Sequence, residues 1–315
     1  MGTFRALMST PSVTPRCAPV VAVSSNKGGV GKTTVATNLA IYLRALREDL
    51  PVLLVGLDDQ QVIDRMIALR PLRPGEGHLK HGWAERNFRR VIQLGEYGVH
   101  YVPSPPDTAL LKARAEDPRT LQRILTRTAW EGIVILDTKS DLEALTLNAI
   151  HAADRVLIPV ADWASLEEAR KSFALLDKAR LGVDRARVLF TLVDRRTRVG
   201  DEGAPLFHGL LAEVRTQGWP YYKTILSRSP KVESLNSGAR RPLSILHHAR
   251  GTALHAQMYE LASEILLDIG FATRAPMAAA ASANPSSPHE SPLAAPGKTP
   301  ETWAEGLMTG WRKRR

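Results

Sequence analysis

Residues 20–34 read Val20-Val21-Ala22-Val23-Ser24-Ser25-Asn26-Lys27-Gly28-Gly29-Val30-Gly31-Lys32-Thr33-Thr34, an apolar strand that runs straight into a glycine-rich turn and then a helix. Strand, loop and helix in that order are the setting a phosphate-binding loop requires. Gly28, Gly29 and Gly31 let backbone N–H groups converge on phosphate oxygens with no Cβ in the way. The helix opening near Thr33 adds the positive end of its dipole. Lys32 brings a point charge to the β- and γ-phosphates, and the Thr33 hydroxyl is placed to ligate Mg²⁺. Val30 and Thr34 complete the cradle. A lone Gly-x-Gly-x-x-Gly would be a weak sign, but the full string between a strand and an amphipathic helix is a specific one.

Outward from this loop, short β-branched runs alternate with helical patterns from Val20 to about Phe271. That alternation predicts an α/β fold, a mostly parallel, doubly wound sheet covered by helices on both faces. The clearest strands are Val20–Ser24, Val52–Leu57, Ile133–Leu136, Arg155–Val160 and Arg187–Val193, several of them apolar at nearly every position, as strands covered on both sides should be. Helices are expected over Thr33–Leu46, Leu142–Ala152, Ala164–Ala179 and Thr252–Leu267. The last carries Leu254, Met258, Leu261 and Ile265 on one stripe that should pack on the sheet. Residues 1–19 read as a disordered leader and 20–271 as the folded domain. Residues 272–300, rich in Ala, Pro and Ser, read as a linker. Residues 301–315 form a basic tip with Trp303, Leu307 and Trp311 spaced along one helical face.

Composition sets limits on chemistry and partners. Of 315 residues 44% are hydrophobic and 23% charged, ordinary for a globular chain. No apolar run approaches the length of a membrane span, and the N-terminus lacks the apolar core of a secretory signal, so a cytoplasmic protein is expected. The single cysteine, Cys17, rules out an intrachain disulfide and a cysteine-based zinc site. The net charge of +10 points to polyanionic partners and says nothing about fold.

Lys27, directly before the first glycine, turns the loop into KGGVGKTT, the deviant Walker A motif, and here the sequence resembles the ParA/MinD family of ATPases, the ParA (Soj-like) branch above all. The resemblance covers roughly Val20 to Leu267. It implies an ATPase with Mg²⁺ in which Lys27 reaches across an ATP-dependent homodimer to the partner's nucleotide, joining Lys32 and Asp58 in catalysis. The stretch Val52–Gln60 resembles the family's VLLVDxDPQ, which makes Asp58 the carboxylate that orients the attacking water. Asp137, after the strand Ile133–Leu136, corresponds to the Walker B aspartate that holds Mg²⁺ through water. Thr191 to Thr197 resembles TxxDxRT, which puts Asp194 near the nucleotide base. The sequence departs from the family at Gly56 and Asp59, where aspartate and proline are usual, and at Lys139-Ser140 after the Walker B position. Those departures leave ATP binding intact and put hydrolysis in question.

The same resemblance implies sequence-independent DNA binding by the ATP-bound dimer through C-terminal basic residues, here Arg228, Lys231, Arg240, Arg241 and Arg250, with phosphate contacts that weaken with salt. A ParB-like partner would stimulate hydrolysis, and the cargo would be a plasmid, a chromosome region or a protein cluster. Two other readings stay open: a MinD-like membrane-cycling site selector that adsorbs through residues 301–315, and a nucleotide-gated scaffold that hydrolyses weakly. A reductase bridging an iron–sulfur cluster is excluded, since it needs thiolates this chain lacks.

Overall fold

Among the described residues seven strands are interspersed with helices, and most strand residues are buried, because each face of the sheet has its own apolar cover. The computed structural model describes residues 18–58, 61–105, 108–194, 206–236 and 241–272. The strands are β1 (Val20–Val23), β2 (Val52–Gly56), β3 (Gln93–Leu94), β4 (His100–Val102), β5 (Ile133–Asp137), β6 (Arg155–Val160) and β7 (Ala186–Phe190). They lie in the order β3-β4-β2-β5-β1-β6-β7. All pairings are parallel except that of β3 with β4. The helices are α1 (Lys32–Leu46), α2 (Val62–Ile67), α3 (Leu79–Ala84), α4 (Ala109–Arg114), α5 (Thr120–Thr128), α6 (Ala144–Ala152), α7 (Trp163–Lys178), α8 (Leu206–Thr216), α9 (Pro230–Leu235), α10 (Ile245–His248) and α11 (Ala253–Asp268).

Successive strand residues point to opposite faces, and here they feed two separate cores. Ala22, Leu53, Val55, Val134 and Leu136 join side chains from α3 to α8 on one side. Val21, Val23, Leu54, Ile133 and Ile135 join α1, α2 and α9 to α11 on the other. The expected stripe of α11 is there: Leu254, Met258, Leu261 and Ile265 are all buried. They share the second core with Leu39 and Leu43 of α1. Buried Asn38 accepts from the Ile245 N–H at 2.8 Å and donates to the Thr34 carbonyl at 2.9 Å, so α10 is tied to the first helix after the loop. At the other end of α11, Asp268 accepts from Arg155 at 2.8 Å and Arg187 at 2.6 Å, anchoring the helix to β6 and β7.

The carboxyl ends of the strands come out at one edge of the sheet, where open α/β sheets hold their ligands. The glycine loop follows β1, Asp58 follows β2, Asp137 ends β5, Asp162 follows β6 and Asp194 follows β7. The expected leader over 1–19, linker over 272–300 and tip over 301–315 lie, apart from residues 18, 19 and 272, outside the described residues. Among the described residues, no helix is long and apolar enough to cross a membrane.

Candidate functional site

The loop owes its shape to two left-handed residues. Gly29 has φ +76° and Gly31 φ +89°, a region in which a side chain is strained. Gly31 caps α1, and its carbonyl receives the Val35 N–H at 2.8 Å. Thr191, just past β7, donates its hydroxyl to the Val30 carbonyl at 2.9 Å and so fixes the loop from the opposite side.

The two lysines of the loop are held differently. Lys32 is buried, and its ammonium donates to the Lys27 carbonyl at 2.8 Å and to Ser140 Oγ at 2.6 Å. Burial lowers its pKa, while Asp137, Asp58 and Asp141 act to keep it charged. Lys27 sits at the rim with its side chain 31% exposed, paired with Asp162 at 3.0 Å. Asp162 is also the N-cap of α7 and accepts from the Ser165 N–H at 2.7 Å. Burial alone would raise the Asp162 pKa, but these hydrogen bonds hold it below the usual value. Asn26 donates to Glu168, a second tie between the loop and α7.

Asp137 is 2% exposed at the end of β5. Burial pushes its carboxyl up to about 7, the nearby Asp58 charge adds to the rise, and the Thr33 hydroxyl and Lys32 oppose it. Its Oδ1 is buried without a hydrogen-bond partner. An orphaned carboxylate oxygen is costly, and a hydrated divalent cation would satisfy it. Thr33, Asp58 and Asp137 line one narrow cleft together with Gly56, Gln61, Ile63 and Ser104. This oxygen-rich set suits Mg²⁺, which keeps most of its waters and takes one or two protein oxygens.

Gly56 lies directly across from Asp137 in the β2–β5 register. A Cβ at position 56 would stand 2.7 Å from Ile63 Cδ1. Ile63 is buried and fills the space that the family's aspartate would need. Ser140, part of the last departure noted in the sequence, is the hydroxyl that receives Lys32.

Asp194 lies beside the β7 extension, where Val193 bridges Ser227, and its charge acts on Arg228. Arg228 pairs with Glu233 at 2.8 Å, and Lys231 is exposed in the first turn of α9. Arg250 is exposed between α10 and α11. Arg241 is engaged in the fold: its guanidinium donates to the carbonyls of Arg65, Met66 and Ala68 and pairs with Glu96 at 2.7 Å. Arg240, Asp59 and the expected strand-to-loop segment beyond Asp194 lie outside the described residues. The structure thus gathers Thr33, Asp58 and Asp137 at one cleft, leaves Lys32 bonded to Lys27 O and Ser140 and Lys27 paired with Asp162, and sets the C-terminal cations on segments that pack on the α1 side of the sheet. The sequence marked Ser140 only as a departure and Thr191 only as the start of a segment near the base, with no role for either side chain, and it gave Asp162 no mention. Asp162 did leave a signal, an N-cap residue three positions before Ser165 at the start of a helical pattern.

Comparison with known proteins follows the same lines. A family described as an AAA domain matches residues 18–169. The chromosome-partitioning ATPase Soj of Thermus thermophilus is 32% identical over 253 residues, 78% of this chain and 94% of that protein. Among solved structures, the septum site-determining protein MinD of Pyrococcus horikoshii, complexed with Mg-ADP, superposes with a TM-score of 0.64 at 17% identity, covering 80% of this chain and 98% of that one. Cobyrinic acid a,c-diamide synthase of Mycobacterium smegmatis, with bound ATP analogue and magnesium, gives a TM-score of 0.63 at 22% identity, covering 82% and 100%.

Proposed function

The chain belongs to the ParA/MinD family of P-loop ATPases, its partition branch of ParA and Soj included, and on that premise we propose that it is an ATP-driven dimerising switch. In this reading it binds ATP with Mg²⁺ and dimerises around the nucleotide. The dimer holds DNA without sequence preference and positions a cargo with the help of a ParB-like activator.

The roles follow from the residues. Backbone N–H groups of Gly28 to Thr34 and the start of α1 cradle the phosphates. Lys32 exchanges its bonds to Lys27 O and Ser140 Oγ for phosphate oxygens. The Thr33 hydroxyl and, through water, Asp137 would hold Mg²⁺, which when bound neutralises charge developing on the phosphates. Asp58, in the same cleft, orients the attacking water.

The observation that carries the reading is the contrast between the lysines: one turned inward, the other at the rim and held by an Asp162 side chain that is 44% exposed. An ion pair this open contributes only about 0–1 kcal/mol. A partner's phosphate can therefore recruit Lys27 at little cost, which couples dimerisation to occupancy.

Light scattering with a non-hydrolysable ATP analogue tests this. The parent should shift from monomer to dimer; Lys27→Ala should bind the analogue and stay monomeric, and Lys32→Ala should lose the analogue itself. A Lys27→Ala protein that dimerises like the parent would overturn the coupling. Mobility shifts with unrelated duplexes test the DNA step. Binding should need ATP and fall linearly on a log–log salt plot. It should also weaken when Arg228 and Arg250 are both changed to Glu.

A further inference from the structure

We infer that the groove beside the free edge of β3 is a docking site for an extended peptide of a partner protein, with apolar side chains for its floor and carboxylates for its rim. The groove encloses about 560 Å³ and is lined by Leu69, Arg70, Glu76, Arg90, Ile92 and Leu94 among others. It lies away from the nucleotide cleft, at the far edge of the sheet.

The backbone at this edge is open to pairing. β3 is an edge strand, antiparallel to β4, with Gln93 opposite Tyr101 and Leu94 opposite His100. The next pair, Gly95 and Val99, is hydrogen-bonded through Gly95 N at 2.8 Å. Hydrogen-bonded and non-bonded pairs alternate along an antiparallel ladder, so the N–H and C=O of Leu94 are directed to the open side. An outward donor and acceptor on an edge strand are a template for an added strand.

Leu94 is 55% and Leu69 51% exposed, so apolar surface borders the unpaired backbone where an edge is usually kept charged. Arg70 is neutralised by Glu76, with contacts of 2.5 and 2.8 Å. Arg90 has no hydrogen-bond or ion-pair partner among the described residues, and Arg73 adds a second positive charge near Glu76. The rim is therefore net positive and calls for carboxylates. A concave groove in which Leu69, Ile92 and Leu94 stand among charged side chains suits a single extended strand. A duplex or a bilayer would meet it as a broad surface and leave the floor uncovered.

Helix α2 runs from the nucleotide cleft toward the edge strand. The first residues of α2 line the cleft, and its last, Ile67, lies against Gly95, where a Cβ would come within 2.3 Å of Ile67 Cγ2.

The test uses the full chain and fluorescein-labelled synthetic heptapeptides read by anisotropy. The probe is Leu-Asp-Val-Glu-Val-Asp-Leu; the controls replace its acidic residues with Lys, or its apolar ones with Ser. The acidic–apolar probe should bind about tenfold or more tightly than either control, and Arg90→Glu should weaken it by a similar factor. Leu94→Pro, which removes the outward N–H, should abolish binding while ATP binding stays at the parental level; Leu94→Asp, which keeps the backbone free to pair, should weaken it. Absence of probe binding, equal binding of the lysine control, or indifference to both the Arg90 and Leu94 substitutions would overturn the inference. So would a loss on Arg90→Glu of binding to duplex DNA or anionic vesicles in place of the probe.

Discussion

Position 56 offers the sharpest test of how this nucleotide cleft is built. A methyl group there would sit 2.7 Å from Ile63 Cδ1, where carbon pairs rest at roughly 3.5–4.0 Å. Ile63 would have to retreat by about 1 Å, in a site where it is 3% exposed. Overpacking of this kind costs about 1–3 kcal/mol, offset by about 0.5–1 kcal/mol from removing a strand glycine. Gly56→Ala should therefore lose about 1–2 kcal/mol. Ile63→Val deletes the offending methyl at a cost of about 1 kcal/mol by itself, and in the double variant the two losses should not add. Gly56→Asp carries a further penalty, because its register partner is Asp137. Two carboxylates about 5 Å apart repel by about 3 kcal/mol at an effective dielectric constant of about 20, and Mg²⁺ should relieve much of that. Urea denaturation of the nucleotide-free protein, with and without Mg²⁺, reads all of these. Parental stability in Gly56→Ala, or a cycle with Ile63→Val that is additive within about 0.5 kcal/mol, would refute the packing argument.

Asp58→Ala should keep ATP binding and dimerisation and lower turnover by about 100-fold or more, measured as phosphate release with DNA present. The Asp137 carboxyl is raised from 3.8 to about 7, so the native state holds its proton more tightly than the unfolded chain. Its contribution is full below pH 3.8 and is lost as pH rises through 7, a difference of about 4 kcal/mol. Denaturation midpoints of Asp137→Asn should lack this decline relative to the parent, and the variant should bind Mg²⁺-ATP poorly. Arg241→Ala should lower stability, through the freed carbonyls at the C-terminal end of α2, and leave the salt slope of DNA binding unchanged in mobility shifts.

What the sequence made legible was local. The glycine loop announces itself because its chemistry is packed into eight consecutive residues, and β1, β2, β5, β6 and β7 do so because burial on both faces demands unbroken apolar runs. Where the expectation ran past the strand, a tertiary contact ended it. Arg187–Val193 was expected, yet β7 stops at Phe190: Thr191 still makes the ladder bond to Val160 but gives its hydroxyl to Val30, and Leu192 then takes φ +53°, outside the extended region. β3 and β4 have two and three residues, too few for any period to show. The cleft itself was only half legible. Sequence could mark Gly56 as a missing carboxylate, but the reason it is missing, an isoleucine from the next helix, exists only in three dimensions. The arginines teach the same limit more strongly. Arg228, Arg241 and Arg250 look alike in a C-terminal basic segment, whereas in the fold Arg241 is spent on three backbone carbonyls and Glu96, and Arg228 shares its charge with Glu233. Charge counted along a chain measures attraction to a polyanion only after the internal partners are subtracted. By that measure the proposed DNA contact should depend more on Lys231 and Arg250, exposed on the α1 side of the sheet, than on Arg241.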